Sequence, residues 1–501
     1  MSASDVTPAR PNVLLVMVDQ WPGRLLGTAG HPVIQTPTID QLARNGVRFP
    51  RAYSECPICI PARRTLMTGT TTRTHGDRVF GTVNRMPNLP TLAQSFRNAG
   101  YQAFAVGKLH VYPPRDRIGF DDVLLAEEGR PHLGAVDDHD LYLADRGYAG
   151  QQFLHGMNNN NYMHRTWHLP EDCHVTNWCT VQMARVIKRR DPTRPAFWCL
   201  SYTHPHPPLV PLATYLDYYR QLEVDPPFES AWAADETKLP HALRLARAFY
   251  GPYGSEALAE VRRAFYALCT QIDHQLRVVI GTLREENVLD DTVVVVAGDH
   301  GDMLGDFGLF AKRTYYESSA NIPMVMMGRA GDQRVGHHRV DDRLVGLQDL
   351  MPTLLDLADI PIPQSCDGRS MLAEQTRTTL YGDCLENTSA SRMLHDGRHK
   401  LIWYPVGNRV QLFDLAADPR ELTDLADHPD HAATRARLEA ALADELYGSD
   451  LDQGWVRDGK LTGCEAPAYE PKPDRSLSGQ RGLHYPEPPE ADQDVTVGFP
   501  Q

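Results

Sequence analysis

The stretch Thr292-Val-Val-Val-Val-Ala-Gly298, followed directly by Asp299-His300-Gly301-Asp302, decides the fold class. An apolar run without alternation is typical of a strand that is buried on both faces of a parallel sheet. Ionisable side chains follow this run at once. Three other apolar runs have the same design: residues 13–18 precede Asp19-Gln20, residues 102–107 precede Lys108-Leu109-His110, and residues 197–202 precede Thr203-His204-Pro205-His206.

The segments between these runs have helical patterns. Residues 37–46 and 89–100 each indicate a short helix that ends at a glycine. Apolar residues recur every three or four positions from 258 to 279, which predicts a long amphipathic helix. Alternating strands and helices indicate a doubly wound α/β fold, with a large, mostly parallel sheet flanked by helices. Ligands of such sheets bind outside the carboxyl ends of the strands, where the ionisable residues lie.

Changes in residue pattern and proline content along the sequence divide the chain into three predicted parts. A catalytic domain, residues 1–370, precedes a smaller C-terminal α+β subdomain, residues 371–450, with antiparallel strands and a helix over 432–447. Residues 451–501 form a proline-rich tail, either disordered or an extended arm that holds a homo-oligomer together. Residues 125–190 are less regular and predict an insertion loop, which is either surface filler or a wall or lid of a substrate site.

The composition excludes some classes of function. The net charge of the 501 residues is −14, which argues against nucleic-acid binding because such binding needs a basic face. No apolar run approaches the length of a membrane span, and the first residues lack the apolar segment of a signal peptide. The nine cysteines are dispersed, unlike a disulfide framework. We therefore expect a cytoplasmic protein without a membrane partner.

A second stretch, Cys59-Ile-Pro61-Ala-Arg63 through Gly69, combines a nucleophile with a cation. Pro61 suits the first position of a helix and Gly69 its end, so Cys59 is expected at the helix mouth, where an anion is favoured. Arg63 brings a positive charge to the same region. Cys56 and Cys59 also form a Cys-x-x-Cys pair, so this stretch alone leaves open a redox pair, half of a zinc site or a small core residue.

The motifs taken together resemble the type I sulfatase family of the alkaline phosphatase superfamily, in the branch of arylsulfatases, phosphonate monoester hydrolases and choline sulfatases. The resemblance covers residues 11–450 in order. It rests on Cys59-x-Pro61-x-Arg63 with Leu66-Met67-Thr68-Gly69, Asp19 after the first strand, Gly107-Lys108-Leu109-His110, Pro205-His206-Pro207-Pro208, Gly298-Asp299-His300-Gly301 with Lys312, and Leu412-Phe413-Asp414-Leu415 with Asp418 and Glu421.

The resemblance implies a hydrolase of small sulfate monoesters whose nucleophile is formylglycine. The resemblance implies that a separate formylglycine-generating enzyme oxidises the motif cysteine. Cys59 is the candidate, because Cys56 lacks the proline and the arginine at the required offsets. The hydrated aldehyde carries two hydroxyls. One attacks sulfur or phosphorus, and the other then loses its proton, which re-forms the aldehyde and releases the product.

The resemblance also implies one divalent metal ion. Its ligands would be Asp19, Asp299, His300 and the group at residue 59. Gln20 departs from the family pattern, since many members have a second aspartate there, and an amide keeps an oxygen but removes a charge. Mn²⁺ or Ca²⁺ is expected, and Zn²⁺ is a further choice. The imidazole makes the site less purely hard-oxygen than a calcium site and widens the choice to Mn²⁺ or Zn²⁺.

The remaining motif residues take roles by their chemical type. Arg63, Lys108 and Lys312 would hold the substrate oxyanion and stabilise charge during transfer. His206, in competition with His204, would protonate the leaving oxygen, and His110 would act as the base for product release. Three further side chains are predicted to contact the substrate, namely Asn84, His204 and Gln20.

Two alternatives to a sulfatase stay open from the sequence. A phosphonate monoester hydrolase or phosphodiesterase would use the same site, because its substrate also carries one negative charge at the transferred group. A non-catalytic anion-binding protein would instead keep Cys59 as a thiol, and the sequence argues against it because every catalytic role has a residue in place.

Overall fold

A mixed sheet of eight strands organises the larger part of the chain. The computed structural model describes residues 10–128, 136–157, 160, 162–250, 253–375 and 377–469. The strands of these residues are β1 (Asn12–Asp19), β2 (Val47–Arg48), β3 (Ala52–Tyr53), β4 (Gln102–Gly107), β5 (Asp122–Leu125), β6 (Ala196–Pro205), β7 (Thr292–Gly298), β8 (Met324–Met327), β9 (Arg339–Val340), β10 (Val345–Gly346), β11 (Leu380–Cys384), β12 (Ser391–His395), β13 (His399–Tyr404), β14 (Arg409–Asp414), β15 (Val456–Arg457) and β16 (Lys460–Leu461).

The large sheet has the strand order β5-β4-β6-β1-β7-β8-β2-β9. β1 pairs in parallel with β6 and β7, and β4 pairs in parallel with β5 and β6. β8 runs antiparallel to both of its neighbours. The four apolar runs of the sequence are therefore the adjacent strands β4, β6, β1 and β7, and their carboxyl ends meet at one edge. The predicted fold class, α/β with a mostly parallel sheet, is confirmed.

Helices cover both faces of this sheet, and others belong to the C-terminal part. The helices of the described residues are α1 (Pro37–Arg44), α2 (Cys59–Thr68), α3 (Thr72–His75), α4 (Leu92–Asn98), α5 (Asp138–Asp145), α6 (Val175–Lys188), α7 (Ala213–Arg220), α8 (Ala231–Ala234), α9 (His241–Tyr250), α10 (Ser255–Glu285), α11 (Glu317–Ala320), α12 (Leu350–Leu357), α13 (Ala432–Glu445) and α14 (Ser449–Asp452).

The residues of β1 show why the sheet is covered on both sides. Leu14 and Val16 belong to one core with residues of α6, α7 and α10, whereas Val13 and Leu15 belong to a second core with residues of α2, α4 and α12. All four side chains are fully buried. Burial of one such side chain contributes about 1.5–3 kcal/mol, so both cores fix the strand and the residues at its end.

The predicted insertion loop is shorter than the sequence indicates. Residues 175–188 form α6, so the expectation of an irregular segment over 125–190 is wrong for this part. α6 begins after His174, whose Nδ1 accepts the Thr176 N–H, and it packs on β6 and α10. Its buried face includes the polar residues Asn177 and Thr180, which hid the apolar periodicity from sequence reasoning.

The C-terminal part is a second, antiparallel sheet with the order β11-β12-β13-β14, and α13 packs on β12 and β13. The predicted antiparallel sheet with a helix is confirmed. Asp450 of α14 is fully buried between two arginines: the distance from its Oδ2 to Arg392 Nε is 2.8 Å and to Arg78 Nη1 is 3.1 Å. These ion pairs join the C-terminal part to the segment that follows α3.

The predicted tail is described only at its beginning. The guanidinium of Arg244 in α9 lies over the ring of Tyr469, with its carbon 3.7 Å from the ring centroid. Residues 470–501, most of the predicted oligomerisation arm, lie outside the described residues. Across the parts of the chain that the structure describes, no helix combines the length and the apolar character that crossing a membrane requires.

Candidate active site

Three elements bring four potential metal ligands together at the carboxyl edge of the sheet. Asp19 ends β1, Asp299 and His300 directly follow β7, and Cys59 begins α2. Their ligand atoms all lie within 4.8 Å of one another, and all four side chains are fully buried. His300 Nε2 is 3.2 Å from Cys59 Sγ and 3.7 Å from one oxygen each of Asp19 and Asp299.

Backbone contacts orient these ligands. The Nδ1 of His300 is 3.0 Å from the Gly301 carbonyl, which fixes a proton on Nδ1 and leaves Nε2 to face the carboxylates. Asp299 Oδ1 accepts the N–H groups of Gln20 and His300. Two carboxylates, an imidazole and a group at residue 59 are a donor set that divalent metals accept, so these residues fit the ion that the sequence predicts.

Three buried cations surround the same ligands. Arg63 Nε donates to Asp299 Oδ2 at 2.9 Å, and Arg63 Nη2 lies 3.3 Å from Asp19 Oδ2. Lys108 forms an ion pair with the same Oδ2 of Asp19. Lys312 Nζ donates to Cys59 Sγ at 3.0 Å. The carboxyl edge of the sheet is therefore rich in positive charge although the protein as a whole is acidic. Binding of an anion requires such a local positive charge.

These cations change the chemistry of Cys59. Burial opposes ionisation of its thiol, but Lys312, Lys108 and His300, with a hydrogen bond from His110, hold its pKa well below the ordinary value. A thiolate in a cationic setting is reactive, unlike a structural thiol in an apolar core. The small-core alternative for Cys59 therefore does not describe its surroundings.

The helix that carries Cys59 begins earlier than the sequence indicates. α2 starts at Cys59 itself, after Ile58 as its N-cap, so the expectation that Pro61 is the first helical residue is wrong. Pro61 is still tolerated because residues of the first turn need no partner for their N–H groups within the helix. Gly69 ends the helix with a φ of 65°, as expected.

Gln20, the departure from the family pattern, is held on both sides of its amide. Its Oε1 accepts from Lys312 Nζ at 2.7 Å, and its Nε2 donates to the hydroxyl of Tyr162 at 2.8 Å and to Asp302 at 2.5 Å. Gln20 thereby positions Lys312 beside Cys59. An aspartate at position 20 would meet the Asp302 carboxylate at this place, which explains why an amide suits this chain.

The other predicted residues lie at different distances from this cluster. His110 follows β4 in a left-handed conformation, with φ 58°, and its side chain hydrogen-bonds Cys59. The Nδ1 of His206 is 3.7 Å from Glu128 Oε1, and Glu128 pairs with Lys108. The ring of His204 turns instead toward His174, with 5.2 Å between the ring centroids.

Asn84 is not brought to the cluster by its described contacts. It is exposed, its side chain hydrogen-bonds Asp77, and its carbonyl accepts from Arg64 at 2.5 Å. Neither partner belongs to the residues around Cys59. The prediction of a substrate contact for Asn84 is therefore not supported by its present conformation.

Two glutamates of the site escaped the sequence analysis. Glu127 Oε1 accepts the N–H groups of Leu109 at 2.7 Å and His110 at 2.8 Å, so it shapes the turn that carries Lys108 and His110. Glu128 contacts both Lys108 and His206. The pair follows β5, a strand of four residues, and the neighbouring position of β4 and β5 in the sheet is what brings the pair to the site.

Cys56 faces away from Cys59. Its thiol hydrogen-bonds the thiol of Cys384 and lies 3.7 Å from the Arg78 carbonyl, and all nine cysteines are free. The Asp383 N–H of β11 donates to the Glu55 carbonyl at 3.1 Å, so the C-terminal sheet covers this segment. The redox-pair and zinc alternatives for the two cysteines have no geometric support among the described residues.

Comparison with known families agrees with this geometry. The sulfatase family model matches residues 11–360, and a model of the C-terminal region of N-sulphoglucosamine sulphohydrolase matches residues 305–447. The chain belongs to the sulfatase family. The resemblance noted from its motifs is thereby confirmed, and with it the assignment to the sulfuric ester hydrolases of the alkaline phosphatase superfamily.

Individual relatives span nearly the whole chain. An arylsulfatase of Clostridium perfringens is 31% identical over 470 residues, which cover 90% of this chain and 97% of that protein. A choline-sulfatase of Rhizobium meliloti is 30% identical, with 87% and 86% covered. The structure of a phosphonate monoester hydrolase from Silicibacter pomeroyi superposes with a TM-score of 0.74 at 25% identity, covering 87% of this chain and 95% of that one. The last similarity fits the alternative substrate class.

Proposed function

We propose that this sulfatase hydrolyses small sulfate monoesters, with aryl sulfates as the first class to test, through a formylglycine made from Cys59 and with one divalent metal ion. The observation that carries the proposal is the buried set Asp19, Cys59, Asp299 and His300, with three cations against it. A structural core has no reason to bury so many charges, since each one costs several kcal/mol unless it is paired.

Asp19, Asp299, His300 and residue 59 would hold the metal. A bound divalent cation would supply Lewis acidity, which stabilises negative charge on oxygen. Mn²⁺ and Ca²⁺ are our first candidates, and Zn²⁺ is the third, because the set mixes hard oxygens with one imidazole. The hydrogen bond from His300 Nδ1 to a carbonyl supports this role, since it is typical of metal-binding histidines.

The chain's own side chains would do the rest of the chemistry. Arg63, Lys108 and Lys312 would bind the sulfate oxygens and stabilise the charge that develops on them, and their burial strengthens this effect. His110, which hydrogen-bonds the group at residue 59, would act as the base that removes a proton from that group during product release. His206 would give a proton to the leaving oxygen, and its ion-pair distance to Glu128 supports this role.

A second candidate function is favoured by Gln20. An amide at this position removes one negative charge from the ligand side of the site, which suits a monoanionic group such as a sulfate or a phosphonate monoester. The Lys312 contact of Gln20 keeps the amide next to the group at residue 59. Phosphonate monoester hydrolysis, or phosphodiester hydrolysis, would therefore accompany or replace sulfatase activity.

One preparation tests the proposal in three measurements. The chain is made in a host that has a formylglycine-generating enzyme, the tryptic peptide with residue 59 is weighed, and its metal is identified. The kcat/KM values for nitrophenyl sulfate and nitrophenyl phenylphosphonate are then compared. We expect the aldehyde, about one metal per chain and a preference for the sulfate. An unmodified thiol would refute the mechanism, and a large preference for the phosphonate would reverse the order of the two functions.

The remaining properties are proposals of the same kind. We keep the cytoplasm as the compartment, and nine free cysteines support a reducing environment. Residues 1–370, 371–450 and 451–501 remain the proposed domains, and the tail remains the proposed arm of a homo-oligomer. Light scattering of the full chain and of a version that ends at residue 469 would show whether the tail holds the oligomer together.

A further inference from the structure

An open pocket lies beside the proposed acid, His206, and its empty space of about 430 Å³ includes open solvent. One wall comes from the end of β6 with His204 and His206, and another includes Gln152, Phe153, His155, Trp167 and Val175. Because His206 would protonate the leaving oxygen, the rest of the leaving group extends from His206 into this space. This wall is one of the two interpretations that the sequence left open for the insertion.

A hydrogen-bond network fixes the orientation of Gln152. The Nε2 of His139 is 3.0 Å from the Cys173 carbonyl, so the proton of this ring is on Nε2. Burial lowers the pKa of His139 to about 4, so the ring is neutral and its Nδ1 is an acceptor. The amide nitrogen of Gln152, 3.4 Å from that Nδ1, must be the donor.

The amide oxygen of Gln152 is then left without a partner. Gln152 is only 9% exposed, and its Oε1 is buried without a hydrogen-bond donor among the described residues. An unpaired buried acceptor costs about 1–3 kcal/mol, so a donor from outside the described residues, such as the hydroxyl of a ligand, would stabilise this atom.

The histidines of the pocket are neutral as well. The Nδ1 of His204 lies 3.0 Å from the His206 carbonyl, so its Nε2 is an acceptor. The Nδ1 of His155 accepts the Met157 N–H, so its Nε2 carries the proton. Burial lowers the pKa of His204 to about 4, and burial with the nearby His168 lowers that of His155 to about 3. The pocket thus offers two acceptors and one donor without a net charge on any of the three.

Apolar and aromatic side chains complete the lining. Phe153 and Trp167 stand on the insertion side, and Val210 and Pro208 on the β6 side. The one carboxylate of the pocket, Glu128, already pairs with Lys108, so a cationic leaving group would find no free countercharge from it. An anionic group would face the acceptors of Gln152 and His204. The lining therefore favours a neutral ring.

We propose that this pocket is a leaving-group site for a neutral ring that carries a hydroxyl next to the ester oxygen, and that Gln152 accepts the hydrogen bond of that hydroxyl. The proposal rests on the proposed function, because it places the ester oxygen at His206. A phenolic ring and a sugar ring share this chemistry, and the experiment has one arm for each.

The test compares matched substrate pairs in the wild type and in Gln152→Met. The phenolic pair is 2-hydroxyphenyl sulfate and phenyl sulfate, and the sugar pair is methyl glucopyranoside 2-sulfate and its 3-deoxy analogue. The variant is expected to lower the kcat/KM ratio of at least one pair about tenfold, the size of one hydrogen bond to a buried group. Comparing one pair between proteins cancels the intrinsic reactivity of the esters. The arm that responds identifies the ring.

A control variant separates the role of the oxygen from a loss of structure. Gln151→Met changes the adjacent, half-buried glutamine outside the pocket and should leave both ratios unchanged. An unchanged ratio for both pairs in Gln152→Met overturns the proposal, as does an equal loss in Gln151→Met.

Ligand binding distinguishes this proposal from the catalytic one. If the wild type hydrolyses no sulfate ester, the proposed function fails. Saturation-transfer NMR still measures binding of the ring to the pocket, with catechol and phenol as one pair and methyl glucopyranoside and its 3-deoxy analogue as the other. Stronger transfer to the hydroxylated member of one pair in the wild type, and no such difference in Gln152→Met, supports the site. Equal transfer within both pairs in the wild type overturns it.

Discussion

Replacement of Glu127 by alanine tests whether one buried carboxylate holds the catalytic turn in place. Its Oε1 accepts the N–H groups of Leu109 and His110 at 2.7 and 2.8 Å. These two residues directly follow the proposed oxyanion ligand Lys108, and His110 is itself the proposed base. Alanine leaves both buried N–H groups without this acceptor. At about 1–3 kcal/mol for each group, the turn loses about 2–6 kcal/mol in its present conformation and is expected to move.

The movement should appear as a loss of rate. A shift of about 1 Å in a catalytic group costs about 100-fold, so we expect kcat/KM of Glu127→Ala for nitrophenyl sulfate to fall by about that factor. Glu127→Gln keeps an acceptor oxygen and should recover most of the activity. Glu285→Ala changes an exposed glutamate on α10 and serves as the control.

The assay measures kcat and KM together with metal content and circular dichroism. A positioning role predicts normal metal content and folding with a low kcat/KM in the alanine variant. Wild-type activity of Glu127→Ala would refute the reasoning. An equally low activity of Glu127→Gln and Glu127→Ala, with metal lost from both, would show that Glu127 acts on stability of the site instead.

Three further predictions concern stability and the metal. Asp450→Asn breaks the buried ion pair with Arg392 and should lower the free energy of unfolding by about 3–5 kcal/mol in denaturant titrations, whereas the exposed Asp452→Asn should change it little. Burial, with Asp349 nearby, raises the pKa of Glu55 from 4.5 to about 7, so this carboxyl stabilises the fold below pH 4.5 and the contribution is lost as pH rises through 7. Relative to Glu55→Gln, the wild type should therefore lose about 3 kcal/mol between pH 4.5 and 8, and an equal pH slope in both proteins would contradict the shift. Removal of the metal by a chelator should abolish hydrolysis. It should also lower the thermal midpoint, because Asp19 and Asp299 then repel each other, and added Mn²⁺ or Ca²⁺ should restore both properties. Activity that survives chelation would contradict the metal proposal.

The meeting of the four proposed metal ligands could be predicted because each of them stands at a strong local signal. Asp19, Asp299 and His300 come directly after long apolar runs, and parallel strands bring such positions to one edge of the sheet. Cys59 begins a helix whose sequence contains a proline in the first turn and a glycine at the end. For each of these residues, the local sequence pattern and the parallel sheet place the side chain at the same edge.

The supporting residues could not be predicted because their signals are weak or contradict their location. Glu127 and Glu128 look like a solvated turn in the sequence, yet both are buried since β5 lies next to β4. Gln152 lies in a segment without periodicity, and its unpaired oxygen is visible only when the partners of His139 are known. The substrate contact of Asn84 stays a prediction, and in this structure its side chain hydrogen-bonds Asp77.

The cover of the Cys59 segment by β11 sets a limit on when this residue can be modified. Cys59 is fully buried, and residues 380–384, which contact the neighbouring Glu55 and Cys56, are made about 320 residues later in synthesis. At roughly 5–20 residues per second, the ribosome needs roughly 15–60 s for this distance. A maturation enzyme that acts on an extended peptide would have to work within this interval, while the chain is still being synthesised. Slower translation between codons 60 and 380 should therefore raise the fraction of chains that carry the aldehyde.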